Sequence, residues 1–281
     1  MSAGRPSRTA IVAAGYRAAH QTCEGASIFS DPHALSILGS DGNAIVAVLS
    51  AAEPHGPMRI FMAARSRFAE DHIARAVARG VRQVVILGAG LDTFSIRNPH
   101  ASAGLKVYEV DRPASQAWKR ARLAEAGLTP PASTSFVSIN FETQELGPAL
   151  TEAGVNLQAP VFFMWLGVVP YLTRDAIMAT LKFIATLPGS EVVFDYSEPL
   201  ENFPPERRQK LEELATRAAA IGEPWLSYFD PAELSNVLHT SGFDAIEDLG
   251  IPEITTRYLG QENKSSDAGP GGHVLYARVA G

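Results

Sequence analysis

The chain has 281 residues, 46% of them hydrophobic, with a net charge of −6. That length allows one large α/β domain with additions or two small ones, and the acidic balance argues against a grip on nucleic acid or an anionic membrane. The single cysteine, Cys23, excludes an intramolecular disulfide and a paired-cysteine metal site, while the lack of a signal-like start and of any membrane-length apolar run sets the expectation of a cytoplasmic protein.

Ser7 to Gln21 is expected to be a helix capped by Ser7 or Thr9. Arg8 lies near its start, where the helix dipole disfavours a cation, so another use for Arg8 is considered. Asp31-Pro32 opens a short helix through Leu38. Pro57 opens a long one to Arg79, with Ile60, Phe61, Ala64, Phe68, Ile73 and Val77 at core-facing helical spacing. Val84-Val85-Ile86-Leu87 reads as a strand buried on both faces. It runs into Gly88-Ala89-Gly90, where the backbone can turn sharply and approach a ligand. Lys106 to Asp111 is a second strand ending in acid, and Pro113 to Ala126 a helix. Phe136 to Ile139 is a third strand, followed by Asn140-Phe141, and Thr143 to Ala153 a helix. Val161 to Leu166 and Glu191 to Asp195 are the fourth and fifth strands, flanking a helix from Asp175 to Leu187.

The alternation pauses at Ser197 to Phe229, which reads as an insertion because Phe203, Leu211, Leu214, Trp225 and Tyr228 need burial. Asp230-Pro231 caps a helix to His239. Phe243 to Leu249 and Gly272 to Val279 are the last two strands, fit for an antiparallel pair at one edge. The run from Gln261 to Gly272 is polar and glycine-rich, as in a flexible turn. The pattern as a whole predicts a doubly wound α/β sheet.

A glycine turn after one parallel strand and an acid after the next suit an adenosine ligand. The ribose would meet Asp111, or Glu109 two residues earlier, and the rest would lie over Gly88 and Gly90. Thr93 stands where a dinucleotide fingerprint has its third glycine, and Asp92 would repel a pyrophosphate. An ammonium and a sulfonium would suit Asp92 better, which points to S-adenosylmethionine. Asn140 and Phe141, at the third strand's end, are placed to take the adenine. The seven histidines lack metal-ligand spacing, so no metal is expected.

Ser7-Arg8-Thr9-Ala10, Asp31-Pro32, Ala64-Arg65-Ser66-Arg67-Phe68, Leu87 to Thr93, Tyr108 to Pro113 and the segment from Trp165 to Thr173 resemble the leucine carboxyl methyltransferase family, in its bacterial O-methyltransferase branch. The resemblance implies a seven-stranded, Rossmann-like methyltransferase sheet over 81–281, with an N-terminal helical cap at 1–80 and a lid inserted at 197–229. It implies Arg65 on the cofactor carboxylate, Asp111 on the ribose, Asn140-Phe141 on the adenine and a basic residue, here Arg8, near methyl transfer. Trp165 joins the candidate cofactor residues. Two positions depart from the family: Asn140 replaces an Asp, and Leu166 replaces a Glu that would touch the methionine end.

Arg8 would orient an acceptor oxyanion, with Tyr171 and Tyr196 as hydrogen-bond partners and His20 as a further candidate base. Phe203, Trp225, Tyr228 and Phe229 would wall the acceptor pocket. The acceptor is expected to be a small molecule with a carboxylate or hydroxyl. A protein C-terminal carboxylate, an NAD(P)-dependent oxidation and a non-catalytic adenosyl-binding role stay open as alternatives.

Overall fold

The computed structural model describes residues 7–51, 55–139, 144–220, 222–260 and 271–281. Three helices come first: α1 (Arg8–Cys23), α2 (Gly42–Leu49) and α3 (His55–Ala78). Strands and helices then alternate as β1 (Gln83–Leu87), α4 (Phe94–Arg97), β2 (Lys106–Asp111), α5 (Pro113–Glu125), β3 (Thr134–Ser138), α6 (Leu146–Glu152), β4 (Phe162–Trp165), α7 (Arg174–Ala185) and β5 (Glu191–Ser197). After β5 come α8 (Pro205–Ala220), α9 (Pro231–Ser241), β6 (Phe243–Gly250), α10 (Ile251–Leu259) and β7 (Gly272–Val279).

The strands form one seven-stranded sheet in the order β3-β2-β1-β4-β5-β7-β6. Pairings from β3 through β5 are parallel, and β7 runs antiparallel to both β5 and β6. The doubly wound, seven-stranded expectation is met, including the antiparallel pairing of the last two strands. The period-2 alternation of β1 builds two cores, one on each face of the sheet. Val85 and Leu87 pack with Phe163, Trp165 and Phe194 on the face covered by α6, α7 and α9. Val84 and Ile86 pack with Phe162, Met164 and the Phe61, Phe68 and Ile73 face of α3.

Three helices go beyond the sequence expectation: α2, α4 and α10. Each is short, and its signal is weak. None of the three has a side-chain cap hydrogen bond. The short helix expected from Asp31 is instead a turn followed by a 3-10 segment from Ser36 to Asp41. Most of the expected flexible turn, residues 261–270, lies outside the described residues.

A buried polar network seats α1 on the first strand–helix turn. Arg17 donates from Nε to Asp31 Oδ2 at 2.9 Å and from Nη2 to the Leu91 carbonyl at 2.7 Å. Thr93 donates its hydroxyl to Asp31 Oδ1 at 2.7 Å and accepts from Arg97 Nε at 2.8 Å. Asp31 and Thr93 are both fully buried. Here lies the structural use of a threonine where a dinucleotide fold has glycine: its hydroxyl is a link between α1, Asp31 and α4.

Candidate active site

Sheet order reverses between β1 and β4, and a doubly wound sheet places its ligand crevice outside the carboxyl ends of the strands at such a point. A cleft is found there. It holds about 1210 Å³ of empty space, open mouth included, between the turn after β1, the tip of β2, the loop after β4 and the face of α1.

The glycine turn forms the floor. Gly88 has φ of +66° and Gly90 of +45°, backbone that side chains with a Cβ rarely adopt. A Cβ on Gly88 would stand 2.5 Å from Val168 Cγ2, so the β1 turn and the β4 loop approach as closely as they do only because this residue is glycine. The amides of Gly88 and Ala89 donate to the Val110 carbonyl at 2.8 and 3.1 Å. The Gly90 amide donates to Asp111 Oδ2 at 2.7 Å, and the Arg112 amide to Asp111 Oδ1 at 2.7 Å. Asp111 therefore fixes the turn and still faces the cleft, with lone pairs left on each oxygen. Asp92 also lines the cleft, while its Oδ1 accepts from the Phe94 amide at 2.7 Å.

Arg65 comes from α3. Its residue is only 6% exposed, yet it lines the cleft. Nη1 is paired with Asp195 Oδ2, and Nε is buried with no hydrogen-bond partner among the described residues. Across the cleft, the loop after β4 contributes Leu166, Gly167, Val168 and Tyr171.

The far wall is closed by a strap from the insertion. Phe229 donates its amide to the Ser197 carbonyl at 3.0 Å, Leu226 to the Pro170 carbonyl at 2.7 Å, and Ser227 Oγ to the Val169 carbonyl at 2.9 Å. Glu223, 6% exposed, accepts the first two amides of α1, from Arg8 at 3.0 Å and Thr9 at 3.1 Å. A carboxylate on the amino end of a helix meets free N–H groups and the positive end of the dipole. Burial holds the Tyr171 phenol above its ordinary pKa; the hydrogen bond from Trp225 works against that rise, and the Glu223 charge adds to it. Tyr171 is therefore a neutral hydrogen-bond donor near pH 7.

Of the sequence candidates, Arg65, Gly88, Gly90, Asp92, Asp111 and Tyr171 converge on this cleft. Asn140 and Phe141 lie outside the described residues. The other candidates are not brought to it. The Arg8 side chain is exposed and does not line the cleft, and the Arg8 amide donates to Glu223. Glu109 is fully buried between Ser95 Oγ at 2.5 Å and Lys119 Nζ at 2.5 Å. Trp165 is buried in the core on the α7 face. Tyr196 is buried, donates to Asp248 Oδ2 at 2.5 Å and stacks on His273 with ring centroids 4.9 Å apart. His20 is also fully buried, with Nε2 accepting the amides of Ile28 and Phe29 at 3.3 and 3.4 Å. Phe203, Trp225, Tyr228 and Phe229 anchor the insertion and do not line the cleft; Phe229 belongs to the sheet core.

Sequence reasoning missed Arg17 and Glu223. Arg17 was detectable, because Ala10, Ala13 and Arg17 share one helical face of α1 and all line the cleft. Glu223 has no local signal; its partners lie more than 200 residues away.

Comparison with known proteins sets this cleft in a family. Residues 10–185 match the family model described as leucine carboxyl methyltransferase. The chain is 35% identical over 217 residues to YktD of Bacillus subtilis (strain 168), provisionally named an S-adenosyl-L-methionine-dependent methyltransferase, covering 76% of this chain and 71% of that protein. It is 31% identical over 278 residues to a Mycolicibacterium paratuberculosis protein with the same provisional name, covering 89% and 85%. In fold it resembles a Thermobifida fusca YX structure described provisionally as a methyltransferase, with a TM-score of 0.60 at 16% identity over 100% of this chain and 97% of that one. The family match across the cap, the glycine turn and the β4 loop, together with these relatives, shows that the chain belongs to the leucine carboxyl methyltransferase family.

Proposed function

We propose that this S-adenosylmethionine-dependent methyltransferase transfers its methyl group to a small-molecule oxygen, with a hydroxyl as the favoured acceptor. The cleft fits the cofactor by two observations: Gly88 and Gly90 leave a floor that a Cβ would fill, and Arg65 holds a buried N–H with no partner among the described residues. In this reading Arg65 takes the methionine carboxylate, Asp111 the ribose hydroxyls, and Asn140 with Phe141 the adenine. When bound, the cofactor supplies a methyl group activated on a sulfonium sulfur. The chain's own contribution is placement: two walls fixed by α1 and the β4 loop, and an acceptor oxygen held in line.

The choice of a hydroxyl rests on one observation, that the Glu223 carboxylate, and not the Arg8 guanidinium, lines the cleft at the amino end of α1. Glu223 lines the cleft and the Arg8 side chain stands outside it. An acceptor carboxylate there would meet a like charge. A hydroxyl would find Tyr171 as hydrogen-bond donor and Glu223 as the base that accepts the proton it loses as its oxygen gains the methyl group. The strap across the cleft also supports a small ligand over an extended peptide, with residues 1–80 acting as cap and 197–229 as lid.

The test is methyl transfer from radiolabelled S-adenosylmethionine to three acceptor sets: small phenols and alcohols, small carboxylates, and peptides ending in leucine. Label in alkali-stable ethers of the first set, unchanged in Arg8→Ala, is the expected outcome. Alkali-labile label on the peptide carboxyl terminus, lost in Arg8→Ala, would overturn the proposal.

A further inference from the structure

We infer that Asp195 is a positioning residue, holding Arg65 so that one edge of its guanidinium faces the cleft; this rests on Arg65 receiving the cofactor carboxylate. Asp195 lies on β5 and is 6% exposed. The parallel register of β4 and β5 pairs Trp165 with Phe194, which sets Leu166 beside Asp195 one step further along. Strand parity puts Asp195 on the α3 face of the sheet, with Val193 and Met164.

Both of its oxygens are committed to parts of the cleft wall. Oδ1 accepts the Gly167 amide at 2.5 Å, and Oδ2 pairs with Arg65 Nη1. One carboxylate therefore ties α3 to the loop after β4. The pairing is selective within the guanidinium. Nη1 is used, and Nε, on the opposite edge, is buried without a partner among the described residues. Nε and Nη2 form the edge that grips a carboxylate through two parallel hydrogen bonds. Nη2 lies close to Gly167, since a Cβ built there would be 3.2 Å from it. A buried N–H left unpaired in a folded protein calls for an explanation, and a ligand oxygen provides one. Asp195 makes no claim on that edge. It neutralises the buried charge from the side and fixes the guanidinium against the loop after β4.

An ordinary buried ion pair would stabilise the fold without distinguishing between ligands. The two roles separate when two ligands are compared: S-adenosylhomocysteine carries the amino-acid carboxylate, and 5′-methylthioadenosine lacks it. Calorimetric titration of both is made against wild type, Asp195→Asn and Arg65→Lys, with urea denaturation confirming that each variant is folded. Wild-type binding of S-adenosylhomocysteine tests the cofactor reading; the variants test the role of Asp195. The expected result is that Asp195→Asn weakens S-adenosylhomocysteine by about tenfold or more, the scale of one charge-assisted hydrogen bond, while 5′-methylthioadenosine changes by less than about twofold. Arg65→Lys, which keeps the charge and loses the edge, is expected to give the same pattern and guards against an unfolded Asp195→Asn. Equal losses for both ligands, or no loss for either, would overturn the inference.

Discussion

Replacing Asp111 by alanine is expected to weaken S-adenosylhomocysteine binding by about 1–3 kcal/mol, whereas replacing Glu109 is expected to damage the fold instead. Both residues sit on β2, two apart, and both are acidic. Their surroundings differ. Asp111 is at the strand tip, tied to the amides of Gly90 and Arg112 and open to the cleft. Glu109 is fully buried, and burial raises its carboxyl pKa while Lys119 draws it down. Glu109→Ala leaves Lys119 as an uncompensated buried cation, a loss on the order of 3–5 kcal/mol of stability. Asp111→Ala removes a partly exposed acceptor and strands no buried charge. Calorimetric titration with S-adenosylhomocysteine and urea denaturation of the two variants check this. A folded Glu109→Ala protein that has lost ligand binding, beside an Asp111→Ala protein that binds normally, would reverse the assignment.

The second large effect is expected at Asp31. Asp31→Ala removes the acceptor shared by Arg17, Thr93 and Arg97; Arg97 keeps Glu70 at 2.6 Å, but the buried Arg17 guanidinium loses its carboxylate. A loss of about 3–5 kcal/mol follows from breaking such a pair. The pH dependence has a definite sign. Burial works to raise the Asp31 carboxyl pKa, but the charges of Arg17 and Arg97 and the hydrogen bonds outweigh it, so the folded-state value is below the ordinary 3.8. A depressed carboxyl contributes stability that is fully present above the unfolded-state pKa and is lost as pH falls through the folded value. Urea midpoints measured from neutral pH down to about pH 3 should therefore fall more steeply in wild type than in Asp31→Ala. Parallel curves would show that Asp31 gives the fold no pH-dependent support.

Much of the cleft was legible because its signals are local. Gly88, Gly90 and Asp111 lie in two short segments, and a glycine turn followed by an acid-ended strand reports the crevice without tertiary information. Arg65 depended on resemblance, since helical spacing alone would leave an arginine of α3 in solvent. The candidates that failed did so for reasons of parity and partners. In β5, Phe194 and Tyr196 turn to the core facing α7, while Val193 and Asp195 turn to α3. Reading that alternation strictly would have passed over Tyr196 and found Asp195. Trp165 fails by the same rule, one residue before Leu166. Glu109 was decided by Lys119, a partner on another element. Arg8 lies off the Ala10, Ala13 and Arg17 face of its own helix. The closing carboxylate, Glu223, is a contact of long sequence separation, which periodicity does not report.

The proposed function makes this cleft an S-adenosylmethionine site and not a dinucleotide site. Its most direct test is calorimetric titration of the wild-type protein with S-adenosylmethionine, S-adenosylhomocysteine and NAD. Saturable one-to-one binding of both adenosyl ligands, with no heat from NAD beyond dilution, is the predicted result. Saturable binding of NAD with silence from both adenosyl ligands would contradict it.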